Sequence, residues 1–308
     1  MKLSLVVPCY NEAENVFDFH KAVISAFETC QFEYEVVYVD DGSKDATLHN
    51  LKKIYQQKTC HVKVVSFSRN FGKEAALYAG LQQAEGDYIS FIDADLQQHP
   101  KTVLEMMRIL DAQSQTDVVA AYQDRRNEGK VLSFFKKSFY KLINRLSDID
   151  LKADASDFRT FRRSVAESIL ALGEYHRFSK GIFAWVGYET CYIPYVAAER
   201  LAGTTKWSFF KLLNYAIEGI IGYSTKPLRI ATFLGGFTSV MSMIYLIIVV
   251  LQKLIAGIDI PGYATIIVLI LFLGGMQLFC IGIIGEYIGK IFEQSKDRPI
   301  YITKEIIK

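Results

Sequence analysis

The chain has 308 residues, enough for one large domain or two smaller ones. Its formal net charge of +2 is too small to point to a nucleic-acid partner. Two long uncharged stretches lie in the last third, while the first two thirds have a soluble composition. The cysteines Cys9, Cys30, Cys60, Cys191 and Cys280 are scattered and odd in number. They show no CxxC spacing, which predicts free thiols in a reducing compartment. The N-terminus runs straight into an apolar strand, without an n-region or cleavage site, so no signal peptide is expected.

A strand is predicted over residues 3–7 and a helix over 11–29, with Asn11 as N-cap and Glu14 three residues on. Residues 34–39 read as a strand ending in Asp40-Asp41-Gly42-Ser43. A helix over 45–57, a strand over 62–67 and a helix over 73–84 follow. Next come a strand over 88–92, a helix over 101–111 and a strand over 118–122. Strands alternating with helices imply a parallel sheet with crossover helices. The first strand-to-helix turn, Pro8-Cys9-Tyr10-Asn11-Glu12, carries no GxGxxG, and no Walker A sequence is present. There is no internal repeat or low-complexity segment.

The most informative stretch is Phe91-Ile92-Asp93-Ala94-Asp95. An apolar strand that stops at Asp-x-Asp puts two hard oxygen ligands at the C-terminal edge of a sheet, where open α/β folds bind ligands. Hard oxygens suit Mg2+ or Mn2+, which also bind substrate phosphates. Successive strand side chains point to opposite faces, so Asp93 and Asp95 serve one site only if the backbone turns there. Read as a bare fragment, the pair is equally a solvated strand-end turn.

Residues 230–251 and 260–285 are uncharged and long enough to span a bilayer. Gly235-Gly236 and Gly274-Gly275 would let two helices approach closely. Lys206, Lys211, Lys226 and Arg229 precede the first span, and Lys290, Lys296, Arg298, Lys304 and Lys308 follow the second. The connecting loop carries only Lys253, so both ends are expected on the cytoplasmic side. Residues 207–223 mix Trp207, Phe209, Phe210 and Leu213 with Lys211 and Glu218. They read as an amphipathic helix in the interface or as an ordinary surface helix. The expected division is a catalytic domain at 1–206, a juxtamembrane segment at 207–228, two spans within 229–289 and a tail at 290–308.

Pro8-Cys9-Tyr10-Asn11-Glu12, Val39-Asp40-Asp41-Gly42-Ser43, Ser68-Arg69-Asn70-Phe71-Gly72-Lys73-Glu74 and Asp93-Ala94-Asp95-Leu96-Gln97 resemble, in order, the motifs of family-two glycosyltransferases. Those enzymes have the GT-A fold, a Rossmann-like α/β domain. His176-Arg177-Phe178, Glu199-Arg200-Leu201-Ala202-Gly203-Thr204-Thr205-Lys206, Lys226-Pro227-Leu228-Arg229 and Gly285-Glu286-Tyr287-Ile288-Gly289-Lys290 are similar to the polyprenyl-phosphate glycosyltransferases, and within these to the bactoprenol glucosyltransferases. The resemblance implies a GT-A domain followed by a two-helix transmembrane region. It also implies inverting transfer of a sugar from a nucleotide diphosphate to a lipid phosphate. The processive polysaccharide synthases that share this core carry QxxRW and more spans, and neither is found here.

The resemblance assigns roles. Asp95 would ligate Mg2+ or Mn2+, and Asp93 would contact the metal or the nucleotide ribose. Pro8, Tyr10, Asn11 and Glu12 would line the nucleotide pocket, with Tyr10 near the base. Asp41 or Asp40 would accept from the uracil N–H, and Arg69 and Lys73 would hold base or diphosphate. Gln97, beside the metal motif, joins the donor set. Asp157, in Ser156-Asp157-Phe158-Arg159, matches the acidic residue beside the acceptor, as a base or as an orienting group. A phosphate monoester is already mostly dianionic at neutral pH and hardly needs a base. Ser156 stands where the family often has Gly, which leaves the backbone path open. Arg159, Arg162, Arg177, Arg200 and Lys206 are the candidates for the lipid phosphate. Implied partners are a UDP-sugar, with glucose first among glucose, N-acetylglucosamine, galactose and mannose, and undecaprenyl phosphate or dolichol phosphate. A homo-oligomer such as a tetramer, a flippase and an outer-face transferase are implied too. The competing reading is a non-enzymatic membrane assembly partner.

Overall fold

The computed structural model describes residues 1–123, 155–195, 219–256 and 262–308. Among them the chain forms two compact units. The first holds residues 1–123, 155–195 and 298–308; the second holds 219–256 and 262–297.

The first unit is an eight-stranded sheet flanked by helices. Its strands are β1 (Lys2–Cys9), β2 (Glu33–Asp40), β3 (His61–Phe67), β4 (Tyr88–Phe91), β5 (Val118–Gln123), β6 (Ala155–Arg162), β7 (Thr190–Tyr195) and β8 (Thr303–Ile307). The helices are α1 (Val16–Phe27), α2 (Thr47–Gln57), α3 (Lys73–Gln83), α4 (Lys101–Ala112), α5 (Arg163–Ala171) and α6 (Ser179–Val186). The central strands are apolar runs, as expected of strands covered on both faces. Phe19, Phe27, Tyr38, Leu51, Ile54 and Phe158 fill one face. On the other face Ala75, Ala76 and Ala79 of α3 pack on Val37, Val39, Val65 and Phe67. The small residues let α3 lie close to the sheet. A Cβ at Gly80 would stand 2.2 Å from Val6 Cγ1.

The strand order is β7-β5-β6-β4-β1-β2-β3-β8. β1 pairs in parallel with both β2 and β4, so the chain order reverses at β1. The expected all-parallel sheet is in fact mixed. β6 runs antiparallel to β4 and β5, and β8 runs antiparallel to β3. Neither strand follows the βαβ rhythm. β6 reads Ala-Ser-Asp-Phe-Arg-Thr-Phe-Arg, whose charges mask its buried Phe158 and Phe161. β8 arrives only after the apolar helices. The tail expected over residues 290–308 is therefore divided: 290–295 continue a helix, and Thr303–Ile307 form an edge strand.

At the N-terminal end of the sheet Glu35 is fully buried. Lys63 Nζ lies 3.0 Å and Lys2 Nζ 3.3 Å from its carboxylate, and Ser4 Oγ donates to it at 2.6 Å. The Lys63 side chain is only 3% exposed. Removing one partner of a buried pair leaves an uncompensated charge, at about 3–5 kcal/mol. Glu35→Ala is therefore expected to lower stability by about that amount. Denaturant unfolding of wild type and variant checks it, and a loss below about 1 kcal/mol would reject the role given to this pair.

The second unit contains α7 (Lys226–Ala256) and α8 (Tyr263–Ser295). Residues Lys226–Gln252 and Ile266–Ser295 are candidate membrane spans, with mean hydropathies of 2.2 and 2.6. Their apolar side chains point outward; Phe233, Leu246, Val268, Leu271 and Leu278 are all exposed. Such a belt is unstable in water and suits a lipid environment. The helices meet elsewhere than at the glycine pairs. A Cβ at Gly235, Gly236, Gly274 or Gly275 would touch nothing within 4 Å. Among the described residues they meet where Tyr287 Oη donates to the Ser224 carbonyl at 2.7 Å and Cys280 Sγ lies 3.7 Å from the Ala231 carbonyl. Residues 207–218 of the expected amphipathic segment, and the first two residues of the span expected over 260–285, lie outside the described residues.

Candidate active site

A cleft of about 310 Å³ opens at the C-terminal ends of β1, β2 and β4. β1 and β4 are the neighbours at which the strand order reverses, so the cleft sits at the topological switch point of the sheet. Its walls include Pro8, Tyr10 and Glu12 after β1, Asp41 after β2, Gly72 and Lys73 at the start of α3, and Asp93 and Asp95 after β4.

The backbone turns at the Asp-x-Asp. β4 ends at Phe91, and Leu96 takes a φ of +59°, a conformation that bulky residues rarely adopt. The turn lets both carboxylates face one cleft, which an extended strand would prevent. The negative charge is concentrated. Burial, then Asp95, Asp93 and Asp45, raise the Glu12 carboxyl, against one hydrogen bond from Asn15.

Lys73 joins the parts. Its Nζ lies 2.7 Å from Asp93 Oδ1 and 3.3 Å from Asp157 Oδ2, with 42% of the side chain exposed. Burial works against its charge, but Asp93 and Asp157 outweigh it and raise its pKa. Asp157 reaches this place by register. β6 pairs Arg162 with Tyr88 and Arg159 with Phe91. Two residues beyond the last pair on each strand stand Asp157 and Asp93, and Lys73 contacts both. Burial disfavours the Asp157 carboxylate, but Lys73, Lys180 and Arg159 together bring its pKa down to about 2.

Ser156 explains how this backbone runs. Its hydroxyl accepts from the Phe158 N–H at 3.2 Å and from Gln98 Nε2 at 3.4 Å. Its carbonyl accepts from Arg159 at 2.9 Å. Gln98 also takes the Asp93 N–H at 3.0 Å, so one buried amide ties the two acidic segments together. Glu74 accepts from the Ser179 N–H at 2.9 Å and from its hydroxyl, fixing the start of α6 beside Lys180. Burial, then Asp157, raise the Glu74 carboxyl. Sequence reading missed Gln98, Glu74, Ser179 and Lys180. Glu74 had a signal, being next to Lys73 in a quoted motif. Gln98 had one too, directly following the Asp93–Gln97 motif, whereas Ser179 and Lys180 reach the site from a separate segment.

Several expected residues do structural work instead. Asn11 does not line the cleft, nor does it cap α1, which begins at Val16. It sits at a φ of +55°; its N–H donates to Ser43 Oγ at 3.0 Å and its Oδ1 accepts from Lys44 N at 2.9 Å. Asp40 is buried, accepting from Ser43 N and Ser66 Oγ. Of the two Asp candidates only Asp41 reaches the cleft, while accepting from Phe71 N at 2.6 Å and Gly72 N at 2.9 Å. Burial foremost raises its carboxyl, against those two donors. Gly42, at φ +63°, lets this turn lie on Arg69, whose carbonyl carbon a Cβ would meet at 2.3 Å. Arg69 lies 4.3 Å from the Phe71 ring centre and does not line the cleft, and Gln97 bonds through its N–H to Asp95 at 3.2 Å.

The arginines divide in the same way. Arg162 is a correction: it stands at the far end of β6, donating to the Thr116, Leu110 and Gln113 carbonyls. Arg177 is another, since it donates to the Ile169 and Leu172 carbonyls at the end of α5 and lies over Tyr78. Arg159 is buried against Phe183 and acts on Asp157 from behind. Arg200 and Lys206 lie outside the described residues. All five cysteines are free, as expected, and Cys9 is buried in the cleft wall.

Among the described residues no three His, Cys, Asp or Glu side chains gather as a complete protein cage for a metal. The donor set still fits Mg2+ or Mn2+. These ions are commonly held by one or two carboxylates, with substrate phosphates and water completing the shell. Asp93 and Asp95 facing one acidic cleft supply that number of hard oxygens.

Residues 4–170, more than half of the chain, match the profile of "Glycosyl transferase family 2". The chain is a family-two glycosyltransferase. Residues 226–291 match a second profile, "GtrB C-terminal hairpin". This glycosyltransferase is 42% identical over 308 residues to the prophage bactoprenol glucosyl transferase homolog of Escherichia coli K12, covering 100% of both chains. It is 42% identical to the bactoprenol glucosyl transferase of Shigella phage SfV, over 99% of this chain and 98% of that one. The putative glycosyltransferase CsbB of Bacillus subtilis is 41% identical over 98% of this chain and 91% of its own. A solved structure of glucosyl-3-phosphoglycerate synthase from Mycobacterium tuberculosis, in complex with Mn2+, UDP and phosphoglyceric acid, superposes with a TM-score of 0.51 at 19% identity. That match covers 71% of this chain and 76% of the other. The likeness identifies the first unit's fold as GT-A.

Proposed function

We propose that this glycosyltransferase moves glucose from UDP-glucose to undecaprenyl phosphate at the cytoplasmic face of a membrane, with inversion at the anomeric carbon. The observation that carries the reading is the Lys73 bridge. It joins the Asp-x-Asp side of the cleft to Asp157 on β6, bringing a donor-diphosphate site and an acceptor site within one side chain's reach. The full-length similarity to bactoprenol glucosyl transferases supports the lipid acceptor and the glucose.

Asp95, with Asp93 beside it, would hold a divalent cation, which would supply Lewis-acid stabilisation of the charge on the leaving diphosphate. Pro8 and the exposed Tyr10 ring form the wall against which a base stacks. The Asp41 carboxylate offers its remaining lone pairs to the uracil N–H. Lys73 sits where its charge holds the diphosphate and the incoming phosphate against their mutual repulsion. Asp157 orients. A carboxyl held down to about 2 is a weak base, and the acceptor oxygen is already anionic. Its negative charge faces the sugar, where positive charge grows as the bond to the diphosphate breaks. The acceptor oxygen forms the new bond to the anomeric carbon, and UDP departs with the bonding electrons.

Residues 1–206 form the catalytic domain in this reading, residues 207–228 the juxtamembrane segment, and α7 and α8 the anchor. The Lys and Arg residues flanking the spans support a cytoplasmic location for both ends. The folding of Arg298–Lys308 into the first unit supports this, since a chain that leaves a domain and re-enters it crosses the bilayer an even number of times. A homo-oligomer, a flippase and an outer-face transferase complete the proposed setting.

Arg200→Ala is expected to raise the KM for the lipid phosphate several-fold more than the KM for UDP-glucose. Equal changes in both would remove Arg200 from the acceptor site. Labelled UDP-glucose, UDP-N-acetylglucosamine, UDP-galactose and GDP-mannose, offered in turn, test the donor. Glucose transfer alone supports the reading, and exclusive transfer of another sugar replaces the donor.

A further inference from the structure

The segment after the apolar helices packs behind one wall of the donor cleft. β8 pairs antiparallel with β3 through Val64, Val65, Ser66 and Phe67. The pairing continues past the strand, where the Ser68 N–H donates to the Ile302 carbonyl at 2.9 Å. Tyr301 stacks on Phe67 with ring centres 4.7 Å apart and planes 21° apart. Its hydroxyl donates to Gln82 of α3 at 2.5 Å. Phe67 in turn meets Phe71 edge-on at 5.8 Å. Ile300, Tyr301 and Phe71 all pack on the cluster that seats Ala75, Ala76 and Ala79 of α3.

This chain of contacts ends at the cleft. Phe71 and Gly72 give their N–H groups to Asp41, and Asp41, Gly72, Lys73 and Ala76 are cleft walls. Two further ties hold the tail. Lys52 pairs with Glu305 at 2.7 Å, and Tyr55 Oη donates to the Lys308 carbonyl at 2.5 Å. An edge strand needs no aromatic stack to blunt it; a charge or a proline is enough. Here the stack is placed under the loop that carries Gly72 and Lys73.

We infer that Tyr301 is a positioning residue for nucleotide binding: the segment following the membrane helices holds the 68–73 loop in its donor-binding shape. The inference rests on the donor reading only for the identity of the nucleotide. The tail is also the direct continuation of α8 in the sequence, so the donor site and the membrane anchor share one short connection.

The test uses the full chain in detergent or nanodiscs, as wild type, Tyr301→Phe and Tyr301→Ala. Hydrogen exchange of residues 68–76 is measured without ligand, and UDP affinity is measured with Mn2+ present. An aromatic pair contributes about 0.5–1.5 kcal/mol beyond its buried area. Tyr301→Ala is therefore expected to weaken UDP binding roughly three- to tenfold and to speed exchange at 68–76. Tyr301→Phe, which keeps the stack, restores exchange protection and UDP affinity to near wild type. Unchanged exchange at 68–76 in Tyr301→Ala overturns the inference, as does a fall in melting temperature with UDP affinity intact. If wild type fails to bind UDP, the donor reading falls, and the exchange data still decide the role of the tail.

Discussion

Replacing Asp95 with alanine is expected to abolish sugar transfer while the protein still folds and inserts. Asp95 lies past the end of β4, in a turn that Leu96 completes at positive φ, where its carboxylate accepts from the Gln97 N–H at 3.2 Å. Its oxygens face the acidic cleft that Asp93 and Glu12 share. Lewis-acid stabilisation of a leaving diphosphate is worth several kcal/mol, and each 1.4 kcal/mol or so is tenfold in rate. The expected loss is thus about a thousandfold or more. Mn2+ binding in the presence of UDP should weaken in parallel. Wild-type turnover from Asp95→Ala would remove the metal role from this residue. A loss of folded protein would instead assign it to structure.

Asp157→Asn carries the second large effect, and the pH profile gives it meaning. Asp157 is held down to about 2, below the usual carboxylate value of ~3.9, by Lys73, Lys180 and Arg159 acting against burial. A depressed carboxylate contributes its pairing energy fully above its unfolded pKa and loses it as pH falls through the folded value. The Lys73–Asp157 contact is thus complete throughout neutral pH and fails only in strong acid. Asp157 therefore does not titrate between pH 5 and 8. The acid limb of the rate should instead follow the lipid phosphate, whose second pKa is near 6. Asp157→Asn should lower kcat about a hundredfold or more, since the variant loses an anion facing positive charge in the transition state. The acid limb should stay where it was. A limb that vanishes in Asp157→Asn would show that this carboxyl acts as a base.

Much of the fold was legible because its apolar runs are strong. The strands expected over residues 34–39, 62–67 and 118–122 fall within β2, β3 and β5. The Asp-x-Asp at the β4 end marked the ligand edge from the sequence alone. The mixed character of the sheet was not legible, because β6 alternates charge with aromatic residues and β8 is separated from its partner by the whole apolar helical hairpin. The same cause limits the site. Pro8, Tyr10, Glu12, Asp41, Lys73, Asp93 and Asp95 come from strand ends that the βαβ pattern already brings together, and they line one cleft. Lys180 and Ser179 enter by tertiary contacts that no local spacing encodes. Arg162 and Arg177 were misplaced for the opposite reason. Arg162 lies near Asp157 in sequence and Arg177 belongs to a motif of the resemblance, but the guanidinium groups bond to backbone carbonyls within the fold. Asn11 shows the smaller version of the error: its type suits an N-cap, yet here it clamps a neighbouring turn.

The most direct test is transfer by the purified full chain. Radiolabelled UDP-glucose, undecaprenyl phosphate and Mg2+ or Mn2+ are mixed with the protein, with an EDTA control, and label is followed into the organic phase. The account predicts a labelled lipid that forms with metal and is lost with EDTA. Folded protein that yields no labelled lipid with any nucleotide sugar would contradict it, and would leave the chain a membrane component built on a glycosyltransferase scaffold.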